Sequence, residues 1–150
     1  MTESTANYKD RAVRVLGTFQ MLELSIKIYI SAAYHVIRLR LDGEIPFNYD
    51  FWHVENFPLE KLLSVFSKLN SNKSLHARLN KLREQRNDVA HRALLYQDNF
   101  VRDLLGIDIR ARSSSLSSTE KELNSCLELV SEELDLILKK YTSARARRRT

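Results

Sequence analysis

Glycine and proline are nearly missing from this chain, with three and two copies in 150 residues. Sheet-rich and loop-rich folds need those residues at their turns, so the scarcity disfavours both. A single cysteine, Cys126, excludes an internal disulfide and a cysteine-cluster zinc site, and it suits a reducing compartment. No segment approaches the ~18 uninterrupted apolar residues of a membrane-spanning helix. Residues 1–10 are polar and mixed in charge, without the apolar core of a signal peptide. The expectation is a cytoplasmic protein with no membrane partner. Gly17, Gly43 and Gly106 are too scattered for a phosphate-cradling loop. His35, His53, His76 and His91 lack metal-ligand spacing, so neither a metal nor a cofactor is expected.

What the chain does contain is charge and helical periodicity. Apolar residues make up 43% and charged residues 29%, which fits one folded domain of ordinary composition. The formal net charge is +5, but four of the positive charges are Arg145, Arg147, Arg148 and Arg149. The body is therefore almost neutral, and bulk basicity says little about whether it binds a polyanion.

The spacing predicts a helix over 8–41, apolar on three sides. One side carries Ala12, Phe19, Ile26 and Ile30; a second carries Val13, Leu24 and Ile28; a third carries Leu22 and Tyr29. So many apolar sides in a small protein imply that a second subunit covers one of them. Asp42 and Gly43 end this helix.

An aromatic insert with Phe47, Tyr49, Phe51, Trp52 and Phe57 follows. It can cap the bundle end or stack bases, and capping is the preferred reading. Helices are predicted over 58–69, with Asn56 as cap and Pro58 in the first turn, and over 73–95. Residues 96–115 read as irregular, with a short helix near 100–105. A last helix starts at Ser117 or Thr119, each heading a capping-box pattern, and carries a heptad stripe from Leu116 to Tyr141. Cys126 beside that stripe reads as packing. The predicted fold is an all-α, antiparallel up-and-down bundle of four main helices plus a short extra one. It comprises one domain over 1–142 and a basic, disordered tail over 143–150, whose arginines could grip an RNA backbone.

Two charges interrupt the apolar stripes. In the third main helix Leu75, Leu79, Leu82, Val89 and Ala93 recur on one side, and Arg86 fills the missing position. In the first, Glu23 falls between Phe19 and Ile26. A buried charge requires a partner, so a Glu23–Arg86 pair is expected. Either it is architectural, or it holds Arg86 ready for a phosphate. His76, Arg83, Asn87, Ala90 and His91 flank that stripe on one side. Arg78, Gln85, Asp88 and Arg92 form a solvent-like side. Arg86 and His91 stand about 140° apart around the helix and ~7.5 Å along it. They converge only if the helix frays after Val89 or if two copies meet.

The segment Arg86-Asn87-Asp88-Val89-Ala90-His91 resembles the signature of the HEPN family: Arg, four to six residues, then His, with a polar residue directly after the Arg. The resemblance implies a HEPN-like helical domain acting as a homodimer, a metal-independent endoribonuclease whose two motifs face each other across a cleft. Arg86 would neutralise the scissile phosphate, Asn87 would position it, and His91 would transfer a proton, with Glu23 and Arg83 in support. RNA supplies its own 2′-hydroxyl nucleophile, so the enzyme needs only proton transfer and phosphorane stabilisation. The products would be a 2′,3′-cyclic phosphate and a 5′-hydroxyl. The family further suggests a toxin or phage-defence role, with a cognate antitoxin or regulatory protein as partner. Some family toxins carry a tyrosine two residues after the histidine that an antitoxin modifies. Here that position is Ala93, and Tyr96 lies three residues too late. Two alternatives stay open: a non-catalytic dimerisation or interaction module, and an RNA-binding accessory protein that uses the tail.

Overall fold

In a computed structural model, the backbone is described for residues 3–92 and 95–148, and the side chains for 7–92 and 95–141. Among these residues the fold is all-α. The helices are α1 (Glu3–Arg40), α2 (Leu59–Leu69), α3 (Lys73–Arg92), α4 (Asn99–Leu105) and α5 (Ile109–Arg148). Short 3₁₀ turns occupy Phe51–His53 and Leu95–Gln97. No described helix is long and apolar enough to cross a membrane.

The helix directions depart from the expected up-and-down order. Arg14 Nε donates to Glu120 Oε1 at 3.2 Å near one end of the α1–α5 pair. The His35 and Tyr141 rings meet at 5.8 Å near the other end. Sequence numbers rise together, so α1 and α5 run parallel. Contacts from Asn72 to Glu133 and from Asp88 to Arg112 make α3 antiparallel to α5. Contacts from Glu60 to Arg83 and from Phe66 to His76 make α2 antiparallel to α3. Hence α1, α2 and α5 point one way and α3 alone returns. The long connection over 41–58 makes this possible, because a short loop would force α2 to run against α1. Its Phe47 and Tyr49 rings pack on Tyr34 of α1. The aromatic insert thus lines the side of α1, although Trp52 stays 71% exposed.

Two of the three apolar sides of α1 are buried within the chain, including Phe19, Leu22, Ile26 and Tyr29. The third is bare: Val13, Met21, Leu24 and Ile28 are exposed. A Cβ added at Gly17, on the same side, would meet nothing within 4 Å. Leu75, Leu79, Leu82 and Val89 of α3 are buried as their spacing predicts. The solvent-like side of α3 is exposed at Gln85, Asp88 and Arg92, and it also borders α5. Arg78 donates to both Glu122 oxygens at 2.6 and 2.9 Å and to Ser125 Oγ at 2.8 Å, and Thr119 Oγ1 reaches Gln85 at 3.4 Å.

Several boundaries differ from the sequence reading. Pro58, not Asn56, sits at the N-cap of α2 and makes no side-chain cap bond. The fourth main helix begins at Ile109, so Ser117 and Thr119 lie inside it and their capping boxes are unused. The cap is Asp108, whose Oδ1 accepts from the Arg110 N–H at 3.0 Å. Arg11 of α1 then ties the serine-rich first turns down by donating to the Ser113 carbonyl and hydroxyl at 3.2 Å each. At the far end α5 runs to Arg148. The α3 helix ends at Arg92; Ala93 and Leu94 lie outside the described residues.

The polar run between α2 and α3 is a clasp. Asn72 caps α3 by accepting from the Leu75 N–H at 3.1 Å. The amide of Asn70, a buried residue, donates to Glu133 Oε2 at 2.8 Å and to the Tyr29 hydroxyl at 3.2 Å. His76 Nε2 lies 2.9 Å from Asn70 Oδ1. Desolvation pushes the His76 imidazole below its ordinary range, and Glu133 pulls it partly back. The unfolded chain therefore takes up this proton before the folded one does. The contribution to stability is complete above the ordinary histidine range and is lost as pH falls through it. Urea midpoints should drop between pH 7 and pH 5, and less steeply in His76→Gln, which keeps a donor for Asn70. An identical pH slope in the variant would show that His76 is not the cause.

Candidate functional site

Helix α3 carries the candidate site because one apolar position on its inner face holds a guanidinium. Arg86 Nη2 lies 3.2 Å from Glu23 Oε1, with the two side chains 39% and 17% exposed. Glu23 Oε1 is shielded from water and makes no aligned hydrogen bond. The contact is thus an ion pair and not a two-pronged fork, which leaves Arg86 donors unspent on Glu23. Removing Arg86 would strand a shielded carboxylate, which costs more than the pair itself contributes.

Arg83 sits one turn earlier, with Nη1 3.5 Å from Glu60 Oε1. Glu60 is highly exposed, so this pair holds its geometry weakly. It also marks where α2 begins against α3. Beyond Arg83 the flank of α3 is uncovered, and Asn87, Ala90 and His91 are all exposed. Asn87 and His91 are one turn apart and face the same way. The helix stays intact through His91 and Arg92, so fraying after Val89 does not bring Arg86 and His91 together. Within one chain the structure joins Arg86 to Glu23 and leaves Asn87 and His91 on the adjoining open flank. For the predicted RNA-binding arginines of the C-terminal segment, the side chains of Arg145, Arg147 and Arg148 and all of Arg149 lie outside the described residues.

The other chemical candidates have structural roles. Cys126 is buried, and burial followed by the Glu122 carboxylate pushes its thiol up to about 11. It is therefore protonated at neutral pH and is no nucleophile. Arg78 holds the Glu122 carboxyl below its usual range through their hydrogen bonds. Among the described residues no three His, Cys, Asp or Glu side chains group as a metal site.

Sequence reasoning missed a cleft of about 300 Å³ on the opposite flank of α3. Its wall includes Tyr8, Asp88, Arg92, Tyr96 and Arg112. Asp88 lies 3.4 Å from Arg92 and 3.7 Å from Arg112, whose guanidinium stands over the Tyr96 ring at 5.0 Å. Burial raises the Tyr8 phenol above its usual value, with Tyr96 the next contributor. Arg112 was the available signal, hidden in a stretch that reads as a loop.

Compared with known proteins, the chain matches no family model, no curated protein and no solved structure.

Proposed function

We propose that this chain is a metal-independent endoribonuclease of HEPN type. The observation that carries the reading is the arginine in the apolar stripe of α3. It is braced by Glu23 at 3.2 Å, while Asn87 and His91 stand exposed on the adjoining flank. A braced guanidinium suits a phosphorane, whose charge it meets without reorganisation. An exposed imidazole can reach a substrate hydroxyl and transfer its proton. Arg86 binds the scissile phosphate, Asn87 orients it, and His91 moves the proton as the 2′-hydroxyl attacks. Arg83 lends positive charge, and the C-terminal arginines contact the RNA backbone outside the reacting centre.

The reading requires a HEPN-like homodimer, since Arg86 and His91 of one straight helix do not converge. The bare side of α1, with Val13, Met21, Leu24 and Ile28 around Gly17, supports a second copy as its cover. Leu24→Glu places a charge there without touching the core. In sedimentation at tens of micromolar, wild type should run as a dimer and the variant as the 17.5 kDa monomer. A monomeric wild type would remove the composite site. The toxin or phage-defence role and a cognate inhibitor rest on the family resemblance alone, and the cytoplasmic location on the single cysteine.

The direct test is RNA cleavage in the presence of EDTA with analysis of the product ends. Cleavage giving 2′,3′-cyclic phosphate and 5′-hydroxyl termini is expected, and a DNA strand of the same sequence should survive. Dependence on a divalent metal would overturn the mechanism. The same bare side of α1 supports a second reading, a dimerising module without catalysis. Absence of cleavage across varied RNAs by a dimeric protein would select it.

A further inference from the structure

Because α1 and α5 run parallel, their N-terminal portions lie together, and a groove of about 530 Å³ runs between residues 7–14 of α1 and residues 109–117 of α5. Three arginines line it, Arg11, Arg14 and Arg110, with the hydroxyls of Ser113, Ser114 and Ser117; Asp10 is the acid among them. Two of the guanidiniums have partners within the chain, Arg11 partly shielded and Arg14 with its side chain 55% exposed. Arg11 is fixed by its two bonds to Ser113, and its Nε is shielded from water without a hydrogen-bond acceptor. Glu120 Oε2 is 3.8 Å from that nitrogen, and Glu120 Oε1 accepts from Arg14. Arg110 is exposed.

Counting Asp10 and Glu120, the side chains leave one net positive charge. An apolar or cationic ligand would find no complement here. A phosphodiester offers two charged oxygens that guanidinium meets in a planar fork and to which serine hydroxyls rotate to donate, and a strand repeats that anion along its backbone, which suits arginines and serines spread over both helices.

We propose that this groove binds phosphate esters, with the backbone of a nucleic-acid strand as its occupant. The site is separate from Arg86, Asn87 and His91, and it stands whether or not those residues cleave RNA.

The experiment uses a fluorescein-labelled deoxyoligonucleotide, which has no 2′-hydroxyl and so reports binding alone. Anisotropy is followed over a salt series for wild type, Arg14→Gln with Arg110→Gln, Ser114→Asp, and Lys73→Gln, with helix content checked by circular dichroism. Each lost contact to a single strand lowers the log–log salt slope by ~0.7. The double arginine variant should therefore lose roughly 1.4 from the slope and bind about tenfold or more weakly at low salt. Ser114→Asp keeps every arginine and should weaken binding comparably, while Lys73→Gln, an exposed charge outside the groove, should bind as wild type. Tighter binding of the strand than of a competing mononucleotide assigns the groove to backbone phosphates; equal binding assigns it to free phosphate esters. Absence of wild-type binding, or unchanged affinity and slope in the folded groove variants, overturns the proposal.

Discussion

His91→Ala is expected to lower RNA cleavage by about 10²–10⁴-fold, the usual worth of a positioned general acid or base, while leaving fold and thermal stability unchanged. His91 is exposed, outside the core, and on an intact stretch of α3. Substitutions at such positions usually shift stability by no more than ~0.5 kcal/mol. Loss of activity can therefore be read as chemistry. Arg86→Ala is a poorer probe because it strands the shielded Glu23 oxygen and mixes folding with catalysis. Retained cleavage in a folded His91→Ala protein would falsify the assignment of His91.

The largest expected effect on stability is at Phe66. Its ring is 1% exposed and meets Tyr29 edge-on at 4.9 Å and His76 at 5.4 Å. It therefore joins α2 to both α1 and α3. The α2 helix has eleven residues, and isolated helices of that length are marginal in water. Burial of Leu59, Leu62, Leu63 and Phe66 holds it in place. Phe66→Ala removes the largest of these and leaves a cavity, which costs about 3–5 kcal/mol. A small domain has only ~5–15 kcal/mol in total, so the variant should unfold at far lower urea. A measured loss under ~1 kcal/mol would mean that α2 is held by something other than this contact.

The helices and their inner faces were legible in the sequence because burial imposes a period. Leu75, Leu79, Leu82 and Val89 show it, and the Glu23–Arg86 pair was visible because each charge broke such a pattern. Helix direction was not legible. A stripe states which face is covered and not which way the neighbour runs, and only the long connection over 41–58 hinted at a parallel α2. The start of α5 was hidden for a different reason. Serine competes for backbone hydrogen bonds and favours turns, so Ser113 to Ser115 read as a loop. What keeps them helical is nonlocal: Arg11, about a hundred residues earlier, bonds the Ser113 carbonyl and hydroxyl. The groove beside them was missed because it exists only once α1 and α5 are aligned.

That parallel alignment also sets the order in which the chain can fold. The Arg14–Glu120 contact closes a separation of 106 residues, and the His35–Tyr141 contact spans the same interval. All-α proteins usually fold quickly because their contacts are local. Here the longest interface is the most remote in sequence, so its closing entropy is met late. On a ribosome adding ~5–20 residues per second, α1 waits roughly 5–20 s for its partner. During that interval the side of α1 that α5 will cover is open along with its bare stripe, making this helix the segment most exposed to premature association.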